Sequence, residues 1–133
     1  MGQNLQIVFS RMPDHVDEAS FNEWYDAHLP EILSIPGFVS AQRYRLEPVV
    51  VDEDAGVRYR YLAVYEVDSD PEALRVAMAE RQLGTRDSYA DRKAAGDDGG
   101  PELPPWWDEV RFASWNCIAT GERVTSESLH PDS

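Results

Sequence analysis

Leu5, Ile7 and Phe9 alternate with Gln6 and Ser10, the two-residue period of a half-buried strand. Residues 11–16 read as a loop, and Asp17-Glu18-Ala19-Ser20 opens a helix with acids at its positive end. Phe21, Trp24, Tyr25, His28 and Ile32 then recur at spacings of three and four, so they share one helical face. Pro30 breaks or kinks that helix, or starts a short second one, and Pro36-Gly37 ends the segment. Phe38 to Leu46 is strand-like: Phe38, Gln42, Tyr44 and Leu46 lie on one face, and Val39, Ala41, Arg43 and Arg45 on the other.

After the polar stretch Asp52 to Gly56, Arg58 to Val67 forms another strand, rich in Tyr and Val, and the two strands pair as a hairpin. Tyr59, Tyr61 and Tyr65 fall on one side of it, Leu62 and Val64 on the other. Asp70-Pro71-Glu72 is a strong helix start, followed by the stripe Leu74, Ala77 and Met78, with Gly84 at the far end. Residues 86–95 add a further helical turn or two, 97–105 are loop, and Val110 to Ala119 is a last strand. The order β-α-β-β-α-β predicts a single ferredoxin-like α+β domain over residues 1–120, a four-stranded antiparallel sheet with two helices on one face. Residues 121–133 read as an exposed tail.

Composition narrows the function. With 12 basic and 25 acidic residues in 133, the net charge of −13 disfavours nucleic acid and anionic membranes as partners. The lone cysteine, Cys117, forms no internal disulfide and belongs to no thiolate cluster, which fits a reducing compartment. The first residues lack a basic stretch, and no run approaches a membrane span, so a cytoplasmic protein is expected. No phosphate-binding glycine loop, Gly-x-Ser-x-Gly or dinucleotide fingerprint occurs.

The stretch from Phe21 to Pro30, followed by Pro36-Gly37-Phe38, resembles the helix of the dimeric α/β-barrel superfamily, EthD-like proteins above all. In that family an aromatic residue four before a His and a following apolar-Pro pair recur. The resemblance implies that two ferredoxin-like sheets pair into a barrel, and that His28 reaches a pocket between helices and sheet with Trp24 one turn earlier. Members include lactone isomerases, polyketide cyclases, haem-degrading or cofactor-free monooxygenases and proteins of no known activity; fold-level likeness does not choose among them.

Taken by themselves, the residues single out His28, an imidazole on an apolar stripe, because burial favours its neutral, proton-accepting form. Glu31, three residues on, opposes that preference. The alternative is a core histidine that fixes helix to sheet. The expected function is cofactor-independent: an isomerase, cyclase or lyase acting on a small apolar, aromatic or polyketide-derived molecule, with His28 as general acid/base. Trp24, Tyr25, Tyr65 and Trp115 are the expected pocket walls. The competing readings are a non-catalytic dimeric ligand-binding or accessory module, and a haem- or oxygen-dependent monooxygenase.

Other groups have milder readings. His15 with Asp14 and Asp17 is a weak metal constellation, set against a solvated loop, and His130 is an inert tail residue. Cys117 fits a core-filling role more readily than that of a nucleophile. Arg43, Arg45, Arg58 and Arg60 either grip a carboxylate or balance the Asp52-Glu53-Asp54 run. Trp106-Trp107 suits a pocket lid or a clasp at a dimer edge. Large side chains on both sheet faces call for a partner over the face the helices leave bare, and a homodimer supplies one.

Overall fold

The computed structural model describes residues 4–50, 59–81, 83, 86–96 and 101–129. Strand β1 (Asn4–Arg11) leads to helix α1 (Glu18–Leu33), strands β2 (Phe38–Arg45) and β3 (Tyr61–Val67), and helices α2 (Pro71–Glu80) and α3 (Arg86–Ala94). A 3-10 turn (Trp107–Glu109), strand β4 (Arg111–Cys117) and a short helix α4 (Ser126–Leu129) complete the order, so the expected tail carries one helical turn. Asp52 to Gly56, Arg58, Gly84 and His130 lie outside the described residues.

The strands form one antiparallel sheet in the order β2-β3-β1-β4. The expected barrel is not there. β2 and β4 are the two edges of an open sheet, and among the described residues neither pairs onward with another strand. Four strands are too few to curl round until β2 meets β4, so the two edges stay apart. The likeness to the dimeric α/β-barrel superfamily is corrected accordingly: a four-stranded ferredoxin-like layer with helices on one face is present, without the closure.

Alternation decides which residues meet the helices. Gln6, Val8 and Ser10 of β1 stand opposite Tyr65, Ala63 and Tyr61 of β3 on the covered face. Phe21, Trp24, Tyr25 and Ile32 of α1 pack into one buried cluster with Tyr61, Ala63, Tyr65, Val67 and Leu74. On β2 the expected alternation fails at its start. A register shift between Phe38 and Ser40 puts Phe38 on the covered side with Ala41 and Arg43, away from Tyr44.

Helix α1 begins where predicted. The Asp17 carboxylate accepts from the Ser20 N–H at 2.7 Å and from its hydroxyl at 3.1 Å, and these bonds hold its pKa down. Pro30 neither ends nor splits the helix: it sits on the exposed side of the last turn, while its neighbours Glu31 and Ile32 are buried. Tertiary packing outweighs the lost hydrogen bond there. Arg43 is no exposed ribbon charge. Its guanidinium lies 4.4 Å from the centre of the Tyr25 ring and bonds Asp26 Oδ1 and Asn22 Oδ1 at 3.0 Å each, tying β2 to α1.

The turn before β2 depends on Gly37, whose φ is +100°. A Cβ there would lie 2.8 Å from both Leu74 Cδ2 and Ser69 Oγ. Gly37→Ala therefore combines backbone strain with a clash against the fully buried Leu74. We expect a loss of roughly 1–3 kcal/mol in stability, measured by urea unfolding; a wild-type midpoint would contradict the assignment.

Candidate functional site

A cavity of about 250 Å³ lies between the helices and the covered face of the sheet. β1 contributes Gln6 and Val8, β3 Tyr65, and β4 Phe112 and Ser114; α1 contributes Trp24, Tyr25 and His28. Met78, Leu83, Tyr89 and Trp107 close the remaining sides. The walls are mainly aromatic and sulfur- or hydrocarbon-lined. Polar groups are few: the Gln6 amide, the Ser114 hydroxyl, the phenols and one imidazole.

That imidazole is fixed on three sides. The Trp24 indole stacks on it, with ring centres 5.1 Å apart and planes at 9°, and is itself pinned by its N–H, which donates to the Glu102 carbonyl at 3.1 Å. Tyr25 and Tyr89 meet the His28 ring edge-on. Nδ1 of His28 lies 3.0 Å from Glu31 Oε1, a contact set by the i, i+3 spacing on α1.

Glu31 is the least expected member of the site. Its side chain is fully buried, yet it accepts from the Tyr89 hydroxyl at 2.7 Å and from Lys93 Nζ at 2.8 Å. Burial pushes the carboxyl up, but hydrogen bonds from His28, Lys93 and Tyr89 outweigh it and hold its pKa at about 2. Tyr89 and Lys93 stand four apart on α3, so one face of that helix supplies both donors. Burial pushes the Tyr25 phenol up to about 12, against the pull of Arg43 and a bond with Tyr65. Burial also holds Tyr65 well above the ordinary phenol range, so both keep their protons at neutral pH.

The structure brings His28, Trp24, Tyr25 and Tyr65 together at this cavity. Trp115 does not join them. It stands opposite Ile7 on the other face of the sheet and is 62% exposed, because its place in β4 has the parity that points away from the helices. Trp107 is a buried cavity wall, and Trp106 packs against Phe21 and Trp24.

Cys117 is half-buried on the strand, and the three residues of the weak metal alternative at His15 have separate partners and surroundings. His15 pairs with Glu109 at 3.0 Å, Asp17 caps α1, and Asp14 is almost fully exposed. Among the described residues no group of three or more His, Cys, Asp or Glu is placed to hold a metal ion, and no helix is long and apolar enough to cross a membrane. Tyr89 and Lys93 were not legible as site residues. Their spacing on a short polar helix was the available signal, and it reads equally well as a solvated face.

The domain is thus an open ferredoxin-like α+β sheet with a small aromatic cavity beneath its helices. No family model matches the chain, and no curated protein matches it in sequence. Several solved structures are similar in chain path. A dimeric ferredoxin-like protein of unknown function from Thermobifida fusca YX is 14% identical with a TM-score of 0.47, covering 88% of this chain and 92% of that one. An EthD-family protein from Bacillus halodurans C-125 is 18% identical with a TM-score of 0.48, covering 92% and 100%. A proposed monooxygenase from Shewanella loihica PV-4 is 19% identical with a TM-score of 0.44, covering 89% and 96%.

Because the folded-state pKa of Glu31 is depressed to about 2, its contribution to stability is present above the unfolded value near 4.5 and is lost as pH falls through about 2. Urea midpoints measured across this window should fall with acid more steeply in the wild type than in Glu31→Gln. Parallel slopes for the two proteins would mean that the buried carboxylate is not held as described.

Proposed function

We propose that this chain binds a small, largely apolar, ring-bearing molecule in the cavity between helices and sheet. The observation that carries the reading is the cavity itself, about 250 Å³ lined by aromatic rings around a single fixed imidazole. The volume lies just below the usual range of small-molecule sites, roughly 300–1,000 Å³, and suits one ring or two fused rings. A binding or accessory module requires nothing further of His28 than its place in the wall.

The second reading is catalytic: isomerisation, cyclisation or elimination with His28 as general acid/base. One observation favours it, the 3.0 Å contact between Nδ1 of His28 and the buried Glu31 carboxylate, which orients an imidazole for proton transfer at its other nitrogen. Trp24, Tyr25 and Tyr65 are then the groups that hold the ring of the substrate.

The binding reading is testable with 2-naphthol as probe, followed by amide chemical shifts in the labelled protein. Shifts should concentrate at Gln6, Tyr65 and Ser114, and Val8→Phe, which fills the cavity from β1, should weaken binding tenfold or more, about 1.4 kcal/mol. Shifts confined to the opposite sheet face, or an unchanged affinity in Val8→Phe, would overturn it.

The opposite sheet face supports a partner, a second copy of this chain. Leu5, Ile7, Phe9, Leu62 and Val64 form an apolar centre there, with Trp115 62% and Tyr44 46% exposed beside it. Arg11 and Arg111 stand at one end of this face and Glu66 at the other. A twofold axis that runs the facing strands antiparallel brings unlike charges together while each sheet stays open. An interface of ordinary size, roughly 1,600 Å² in total, covers the patch. Sedimentation at micromolar concentration should give twice the chain mass of 15.1 kDa, and charge reversal at Glu66 should weaken the pairing. A single-chain species with a native spectrum would exclude it.

A further inference from the structure

The cluster at the polar end of the cavity contains one buried anion and two bases able to neutralise it. Glu31 is fully buried; Lys93, 7% exposed, holds Oε2 at 2.8 Å, and His28, 14% exposed, faces Oε1 at 3.0 Å. From these contacts we infer that Lys93 and Glu31 are positioning residues that hold His28 as a neutral imidazole with its proton on Nδ1, so that the cavity recognises ligands bearing a hydroxyl or N–H. The inference deepens the binding reading and rests on it only for the last clause.

The protonation pattern follows from the contact between His28 Nδ1 and the carboxylate. The Tyr89 hydroxyl, with one proton to give, lies 2.7 Å from Glu31 Oε1 and 3.2 Å from His28 Nδ1. The shorter, charge-assisted bond goes to the carboxylate. Were Nδ1 unprotonated, its lone pair would face the lone pairs of Glu31 Oε1 at 3.0 Å, a repulsive contact. A proton on Nδ1 removes the conflict, since it points at Oε1. Nε2 is then the nitrogen left with a lone pair for the cavity.

Lys93 decides the charge. A buried carboxylate draws a compensating cation, and without Lys93 the nearest candidate is the imidazole, which would take a second proton on Nε2 and cease to accept hydrogen bonds. With the ammonium in place the carboxylate is already paired, and no second positive charge is called for. Among the described residues, the other titratable groups at the ring and its cavity are Tyr25 on the same helix, Tyr89 on α3 and Tyr65 on β3. Tyr25 and Tyr65 are held protonated by burial, so neither competes as an anion. A carbonyl placed at Nε2 would meet lone pair with lone pair, whereas a hydroxyl or N–H would donate.

Long-range ¹H–¹⁵N correlation of the histidine rings tests this on the intact chain, with His28 assigned by its loss in His28→Gln. At neutral pH the wild type should show a protonated Nδ1 and a pyridine-type Nε2. In Lys93→Met the imidazolium signature should persist to a pH higher by about one unit or more. Lys93→Arg should restore the wild-type titration, and so should Lys93→Met combined with Glu31→Gln. A proton on Nε2 in the wild type would overturn the inference, and that result needs no variant to fold. So would a folded Lys93→Met whose His28 titrates as in the wild type. If the tautomer is as assigned but 2-naphthol does not enter the cavity, the binding reading fails and the roles of Lys93 and Glu31 stand.

Discussion

A carboxylate removed from water must be surrounded by donors or it will not stay charged, and Glu31 makes that demand at the centre of this molecule. Three groups answer it, one from its own helix and two from α3. Helix α3 is short and almost wholly polar, with little apolar surface to hold it against the domain. Tyr89 and Lys93 supply the attachment that hydrophobic area does not. The same bonds that dock α3 also complete the cavity wall and orient the imidazole, so the cavity exists in this form only while the buried charge is satisfied.

The sheet separates two tasks by parity. Residues of one parity on β1, β3 and β4 meet the helices and line the cavity; those of the other parity form an apolar surface on which Trp115 and Tyr44 are exposed. Arg43 is the point where charge crosses into the covered layer. Aromatic faces and the Asp26 and Asn22 oxygens replace the hydration of its two terminal nitrogens, while its Nε is buried without a hydrogen bond.

The order of the four strands with α1 and α2, the helix starts at Asp17 and Asp70 and the shared face of Trp24, Tyr25 and His28 were legible in the sequence, because local rules govern them, whereas α4 lay in the stretch read as a tail. Trp115 was misplaced because a residue's size says nothing about which side of a strand it occupies once the neighbouring register is unknown. Barrel closure was carried over from a family likeness, and edge pairing is a long-range property that no local pattern encodes. Glu31 was read as a modifier of His28 alone. Its other partners lie about sixty positions away, brought in by a helix whose own sequence gives no apolar stripe to announce the docking.

The irregularity between Phe38 and Ser40 makes the two ends of β2 run in opposite phase. Val39, the extra residue, is 52% exposed, so its side chain adds little to the core. Phe38 and Arg43 stand five positions apart, and strict alternation would set them on opposite faces of the sheet. The extra residue cancels that difference and lets both the ring and the guanidinium enter the layer beneath α1. Loss of Val39 together with the irregularity would leave the two four apart and still on one side, so this is the point where the strand can absorb a change of length.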